Sequence, residues 1–381
     1  MSWDSNVIAD VLSHADGLTV VWDDAHQSFF HHVWLRDNCR CEGCYHPQTR
    51  ERLVDAMSLP LDIVPASVES LPDGVRAVWP DGHVSRFPAA FLRTHCYAPS
   101  SRERRREVHR HWRGNDLADD PPRITYATAM ADDAGLAAFC ELLWSVGLVL
   151  VQAVPDTDTA VPDLCGRISW MRETNFGVDF EVIAEIEPNN VAYTAIELDH
   201  HTDLPNREMP PGVQFLHCRR ADAPGGASTL VDGFAAAAML AERDPEAYAL
   251  LTSVEVPYVF HDDDYDIRWA APVIGVRHDG TLRDIRYHNA LMAPLDLEPD
   301  LVKATYTALQ AYAATLREPG MALEDRMNPG EMMVFNNRRV LHGRRAFDPG
   351  GGKRHLHGAY VDIDELRSKM RVLARTSGNA P

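Results

Sequence analysis

The chain has 381 residues, 45% of them apolar, enough for one large domain and a smaller companion. Its formal charge of −19 argues against nucleic acid or an anionic membrane as the main partner. No run approaches the about eighteen apolar residues of a membrane span, and Met1-Ser2-Trp3-Asp4-Ser5-Asn6 lacks the basic and apolar stretches of a signal peptide.

Residues 1–98 read as a small β-rich domain. Residues 18–22 and 28–34 are β-branched and aromatic enough for strands, and 75–79 and 83–87 flank Pro80-Asp81-Gly82, a hairpin turn. Between these pairs lies Cys39-x-Cys41-x2-Cys44, three thiols within six residues. A fourth ligand would close a tetrahedral zinc site around them, and His46 is the nearest histidine in sequence. Three reduced thiols without a metal are the alternative. Seven cysteines in all, three clustered and four scattered, fit reduced thiols and a metal better than a disulfide framework, so a cytoplasmic location is expected.

Residues 99–122 read as a linker. It carries Arg102, Arg104, Arg105, Arg106, Arg110 and Arg113, then reverses sign at Asp116, Asp119 and Asp120 before Pro121-Pro122. In so acidic a chain this basic run reads as a solvated helix or an intramolecular contact rather than a docking site for an anionic partner.

Residues 123–381 form the large domain. Asp132-Asp133 caps a helix through Leu136, Phe139, Leu142, Leu143 and Trp144 that stops at Gly147. A buried strand follows at 148–151, further helices are predicted at about 234–252 and 299–317, and strands at 211–217, 331–335 and 354–360.

His200-His201-Thr202-Asp203 and the later Leu341-His342-Gly343 carry the chemistry. Two histidines and a carboxylate can cap one face of an octahedral metal and leave the opposite face open, the facial triad of non-haem Fe(II) oxygenases. H-x-D alone is weak in a chain with 18 histidines, but the flanking strands would return His342 to His201 and Asp203. Arg354 begins one more strand beside them, and its fork suits the distal carboxylate of an α-keto diacid. A zinc hydrolase could use the same three ligands but would leave Arg354 without a role. A non-catalytic binding module on an oxygenase fold would need neither triad nor arginine.

Further stretches make the pattern specific: Trp34-Leu35-Arg36-Asp37-Asn38-Cys39, Asn189-Asn190-Val191-Ala192-Tyr193-Thr194, His201-Thr202-Asp203-Leu204-Pro205, Phe215-Leu216-His217-Cys218, Val231-Asp232-Gly233-Phe234 and Leu341-His342-Gly343-Arg344-Arg345. Over nearly its whole length the chain resembles the γ-butyrobetaine dioxygenase family, Fe(II)/2-oxoglutarate oxygenases of carnitine biosynthesis within the taurine dioxygenase-like superfamily. The resemblance implies a mainly β fold with flanking helices: a double-stranded β-helix (jelly-roll) catalytic domain and a small zinc-binding N-terminal domain, in a homodimer. It implies iron held by His201, Asp203 and His342, and 2-oxoglutarate held by Arg354 with help from Ser228. Structural zinc would be held by Cys39, Cys41, Cys44 and His83, with His46 as the competing fourth ligand.

The implied substrate is a small trimethylammonium zwitterion. Such a cation has no N–H to donate and is held by aromatic faces. By resemblance these belong to Phe176, Phe180, Tyr193 and Tyr360, although any one of them could equally be core packing. Asn190 would hold the anionic end, with His288 and Asn289 of Arg286-Tyr287-His288-Asn289 adding to it. A donor such as His288 would favour a more highly charged head group; the alternative is an ordinary strand-end histidine. The implied reaction consumes 2-oxoglutarate and O₂, releases succinate and CO₂ and converts a C–H bond to an alcohol. γ-Butyrobetaine to carnitine is the first choice, and a trimethylammonio-alkylphosphonate the second.

Overall fold

The computed structural model describes residues 6–183 and 196–377. They form two compact units, Met1–Glu107 and Val108–Ala380.

The first unit holds two antiparallel three-stranded sheets, β1 (Ile8–Ser13), β2 (Gly17–Trp22) and β3 (Gln27–His31), then β4 (Ser67–Leu71), β5 (Gly74–Val78) and β6 (Val84–Pro88). Alternation places Leu18, Val20, Trp22 and Phe30 of one sheet and Val75, Ala77 and Phe87 of the other in one buried cluster with Trp79. Each sheet satisfies its buried indole in the same way: Trp22 donates to Ser28 Oγ at 2.8 Å and Trp79 to Ser85 Oγ at 2.9 Å. The strand expected over 28–34 ends at His31, where a short helix, His32–Asp37, takes over. That turn buries Leu35 and delivers the chain to Cys39.

The second unit is a double-stranded β-helix with flanking helices. Its strands are β7 (Arg123–Thr125), β8 (Leu148–Gln152), β9 (Asp179–Ile183), β10 (Leu198–His201), β11 (Val213–Ala221), β12 (Ser228–Asp232), β13 (Val256–His261), β14 (Asp266–Ala271), β15 (Ile274–Val276), β16 (Leu282–Ile285), β17 (Leu323–Asp325), β18 (Glu331–Asn336), β19 (Val340–Arg344) and β20 (Arg354–Val361). The major sheet runs β7-β8-β18-β11-β20-β9 and the minor sheet β10-β19-β12-β17.

Period-two alternation divides the major sheet's side chains between two cores. Val149, Val151, Val213, Phe215, Met332, Val334, Ala359 and Val361 pack under the helices Asp133–Ser145, Ala160–Ile168 and Ile363–Thr376. The intervening Leu148, Leu150, Leu216, Met333, Phe335 and Leu356 meet Leu230 and Val340 of the minor sheet. The minor sheet's other face, Val231 and Leu341, packs with the helices Gly233–Arg243, Pro245–Ser253 and Pro299–Leu316.

The helix expected over 234–252 is therefore two. Pro245 disfavours helical backbone at Asp244, and the Asp244 carboxylate caps the second helix by accepting from Ala247 N at 3.0 Å. Of the stretch expected as a linker, Pro99–Arg104 is helical in the first unit, while Trp112 and Leu117 are buried in the core of the second. Among the described residues, no helix is long and apolar enough to cross a membrane.

Candidate active site

β10 and β19 are paired with His201 and His342 as direct cross-strand partners, so both rings leave the minor sheet on one face, 4.2 Å apart between centroids. His201 Nδ1 lies 2.9 Å from Asp199 O, which leaves Nε2 to face inward. Asp203 follows in the turn after β10, its Oδ1 3.3 Å from His201 Nε2 and 3.7 Å from His342 Nε2.

The turn is held by residues distant in sequence. Asn337 accepts from Asp203 N at 2.7 Å and donates to Asp203 O at 3.1 Å and Pro211 O at 3.0 Å. Leu204, beside the ligand, sits at φ 53°, a left-handed conformation costing about 1–3 kcal/mol that this clamp sustains. Arg286 spends its donors on the same loop, on the carbonyls of Pro205, Arg207 and Glu208, so it braces the backbone and does not serve a substrate's anionic end.

Burial and the neighbouring His201 push His342 down to about 3, so it presents a neutral imidazole. Burial alone would raise Asp203, but His342 in its protonated form, together with His201 and the Tyr360 hydroxyl, outweighs it, so the carboxylate ionises well below its usual range. One carboxylate and two imidazoles within 4.8 Å of one another are a donor set suited to a divalent iron ion, with room for exogenous ligands.

The triad opens into a cavity lined also by Phe176, Phe180, Tyr360, Ser228, Arg354 and His288. Phe180 lies against Tyr360 with ring centroids 5.1 Å apart, and Phe176 meets Phe260 edge-on at 6.0 Å. Gly358 makes room for this wall: a Cβ there would stand 2.6 Å from the Phe180 ring. Arg354 and Tyr360 share one face of β20 at its opposite ends. A Cβ on Gly226, at φ +65°, would press to 3.3 Å from the Arg354 guanidinium stem.

His288 is not at a strand end; it lies three residues beyond β16 with its ring 4.3 Å from that of His201. Burial, reinforced by His201, keeps it neutral by lowering its pKa well below the ordinary value. Asn289 is exposed and is not among the residues lining the cavity. Asn190 and Tyr193 lie outside the described residues. Asn337, Phe260 and Arg344 were not singled out from sequence. The alternation of Val256, Tyr258 and Phe260 marks a strand but gives no sign that it reaches the cavity.

A second donor cluster lies in the first unit. His83 Nε2, presented by the β5–β6 turn with Gly82 at φ +82°, is 3.3 Å from Cys39 Sγ, 3.7 Å from Cys41 Sγ and 3.5 Å from Cys44 Sγ. Zinc bonds of about 2.3 Å to sulfur and about 2.0 Å to nitrogen give a tetrahedral S···N edge of about 3.5 Å, so the cluster fits zinc. His46 is turned elsewhere, its Nδ1 accepting from the backbone of Gln48 and Thr49. Burial pushes the Cys44 thiol up to about 11, a cost that a bound cation would remove.

The model of the taurine catabolism dioxygenase TauD, TfdA family matches residues 93–360, and that of the γ-butyrobetaine hydroxylase-like N-terminal domain matches residues 10–93. The chain is 42% identical to a γ-butyrobetaine dioxygenase of Pseudomonas sp. (strain AK-1), over 97% of this chain and 96% of that one. The chain belongs to the γ-butyrobetaine dioxygenase family. Within it, this dioxygenase is 31% identical to the Homo sapiens γ-butyrobetaine dioxygenase, over 97% of this chain and 98% of that one. A Burkholderia xenovorans crystal structure provisionally assigned as an alpha-ketoglutarate-dependent taurine dioxygenase shares the fold, at a TM-score of 0.50 and 12% identity, covering 67% of this chain and 91% of that one.

Proposed function

We propose that this dioxygenase hydroxylates a small trimethylammonium zwitterion, γ-butyrobetaine to carnitine, at the expense of 2-oxoglutarate and O₂. The observation that carries the reading is one cavity bounded by the His201, Asp203 and His342 donors, by Arg354 and Ser228, and by the aromatic faces of Phe176, Phe180 and Tyr360. The names of the Pseudomonas and human relatives support the substrate. Iron held by His201, Asp203 and His342 would supply oxygen activation coupled to conversion of 2-oxoglutarate to succinate and CO₂.

The chain's own contribution is placement. Arg354 and Ser228 hold the distal carboxylate of 2-oxoglutarate. Phe176, Phe180 and Tyr360, joined by Tyr193 on the strength of family resemblance, hold the cation by their ring faces. Asn190, again by resemblance, takes the anionic end. Leu198, Leu204 and Leu216 complete apolar walls that restrict water around the reacting C–H bond. The reading includes structural zinc at Cys39, Cys41, Cys44 and His83, and a homodimer in a reducing cytoplasm, the last supported by seven cysteines without a disulfide.

A trimethylammonio-alkylphosphonate is the second reading, favoured by one observation: His288 reaches the cavity as an added polar group. The test is a panel of γ-butyrobetaine, its neutral tert-butyl analogue and a trimethylammonio-phosphonate, measured by binding to wild type and Phe180→Leu. A cation cage predicts that the wild type discriminates against the tert-butyl compound and that Phe180→Leu discriminates less. Equal losses for both compounds would reduce Phe180 to packing and reject the quaternary ammonium reading.

A further inference from the structure

The co-substrate end of the cavity contains a second buried guanidinium. Arg344 is 6% exposed and lies on β19 two residues beyond His342, so the two side chains leave the strand on the same face. Its cross-strand partner on β12 is Ser228, which places the hydroxyl and the guanidinium side by side on the minor sheet. Arg354 enters from β20, in the major sheet. Phe347 lies against both arginines, its ring centroid 4.9 Å from the Arg344 guanidinium carbon and 5.9 Å from that of Arg354.

Among the described residues lining the cavity, Arg344 and Arg354 are the cations and Asp203, a metal donor, is the one carboxylate. Two like charges brought out of water into one cavity raise each other's energy. An anion between them removes that cost. Arg344 also donates through Nη2 to Ile196 O at 2.9 Å, which fixes the direction of the fork.

We propose that Arg344 is a second binding residue for the distal carboxylate of the co-substrate, facing Arg354 across it, so that two arginines from opposite sheets and Ser228 select an α-keto diacid. This rests on the reading of the chain as a 2-oxoglutarate oxygenase. The consequence is selectivity for the second carboxylate, which a single exposed arginine would provide less strongly.

The experiment is anaerobic calorimetric titration of the Fe(II)-loaded protein with 2-oxoglutarate and with 2-oxovalerate, which has the same keto acid head and no distal carboxylate. Wild type should prefer 2-oxoglutarate by about a hundredfold or more, and Arg344→Gln should lower that ratio by about tenfold, equivalent to about 1.4 kcal/mol. Arg344→Met, which retains most of the stem's packing, is judged by the same ratio should the glutamine variant fail to fold. A lost ratio supports the proposal. An unchanged ratio, with both keto acids weakened alike, would make Arg344 a structural residue and overturn it. A wild type that binds neither keto acid would overturn the functional reading and this inference with it.

Discussion

The Tyr360 hydroxyl donates to Asp203 Oδ2 at 2.7 Å, so a residue proposed for the substrate's cation also fixes the carboxylate proposed to hold iron. With Oδ2 held, Oδ1 is the oxygen turned toward His201 and His342. Partners of this kind typically change metal affinity about 10–100-fold. Tyr360→Phe keeps the ring face and removes only the hydroxyl. It should weaken Fe(II) binding by about tenfold in an equilibrium titration while leaving binding of γ-butyrobetaine to the metal-saturated protein nearly unchanged. Wild-type iron affinity would show that the hydroxyl does not orient Asp203.

The zinc cluster should behave independently of the iron. The protein purified under reducing conditions is expected to hold about one zinc per chain, retained when a mild chelator strips the iron, because three thiolates and an imidazole leave no open position. Cys41→Ser should lower the melting temperature more than it lowers the activity of the folded fraction. Elemental analysis finding no zinc in fresh reduced protein would reject the site.

The meeting of His201, Asp203 and His342 could be read from sequence because His201 and Asp203 are two residues apart and because strand patterning supplied the return path for His342. The grouping of Cys39, Cys41 and Cys44 was equally legible. His83 joins them, as the family resemblance implied; spacing alone favoured the nearer His46, since the outcome depends on where the β5–β6 turn lands. What sequence alone did not yield was support at long range: Asn337 clamping Asp203 from 134 residues away, Phe260 reaching the cavity, and Arg344 entering from the minor sheet. The bracing role of Arg286 was hidden for the same reason, since its partners are backbone carbonyls about eighty positions away. The strand over 28–34 was overextended because the aromatic and apolar side chains of Val33, Trp34 and Leu35 suit a buried helix turn as well as a strand.

Asp232 and Arg339 form a fully buried ion pair that ties β12 to the turn before β19, at 2.9 and 2.8 Å through both carboxylate oxygens. The same carboxylate accepts from Trp112 N and Phe234 N, while the guanidinium donates to the carbonyls of Ser145 and Arg110. Asp232→Ala would strand a buried cation and should cost about 3–5 kcal/mol in denaturant unfolding. Asp232→Leu combined with Arg339→Met should cost less than Asp232→Ala alone. A loss below about 1 kcal/mol for Asp232→Ala would contradict this role.

Acid should destabilise the catalytic unit through His217. Its ring is fully buried on β11 opposite His357, and neither ring nitrogen has a hydrogen-bond partner among the described residues. Burial, with Arg219 and His357 nearby, pushes it down to about 4, whereas the unfolded chain takes up this proton near 6.5. Between those values the unfolded state binds more protons, so this contribution to stability falls as pH is lowered from about 6.5 to about 4. His217→Leu should show a shallower fall in unfolding free energy over that window. An identical slope would remove His217 as its source.

If His201, Asp203 and His342 support oxidation coupled to 2-oxoglutarate, succinate formation reports it. Wild-type protein supplied with Fe(II), O₂, 2-oxoglutarate and γ-butyrobetaine should release succinate and hydroxylated product in equal amounts, and His342→Ala, folded by circular dichroism, should release neither. Succinate formation unaffected by His342→Ala, or product formed without consumption of 2-oxoglutarate, would rule out this chemistry at the triad.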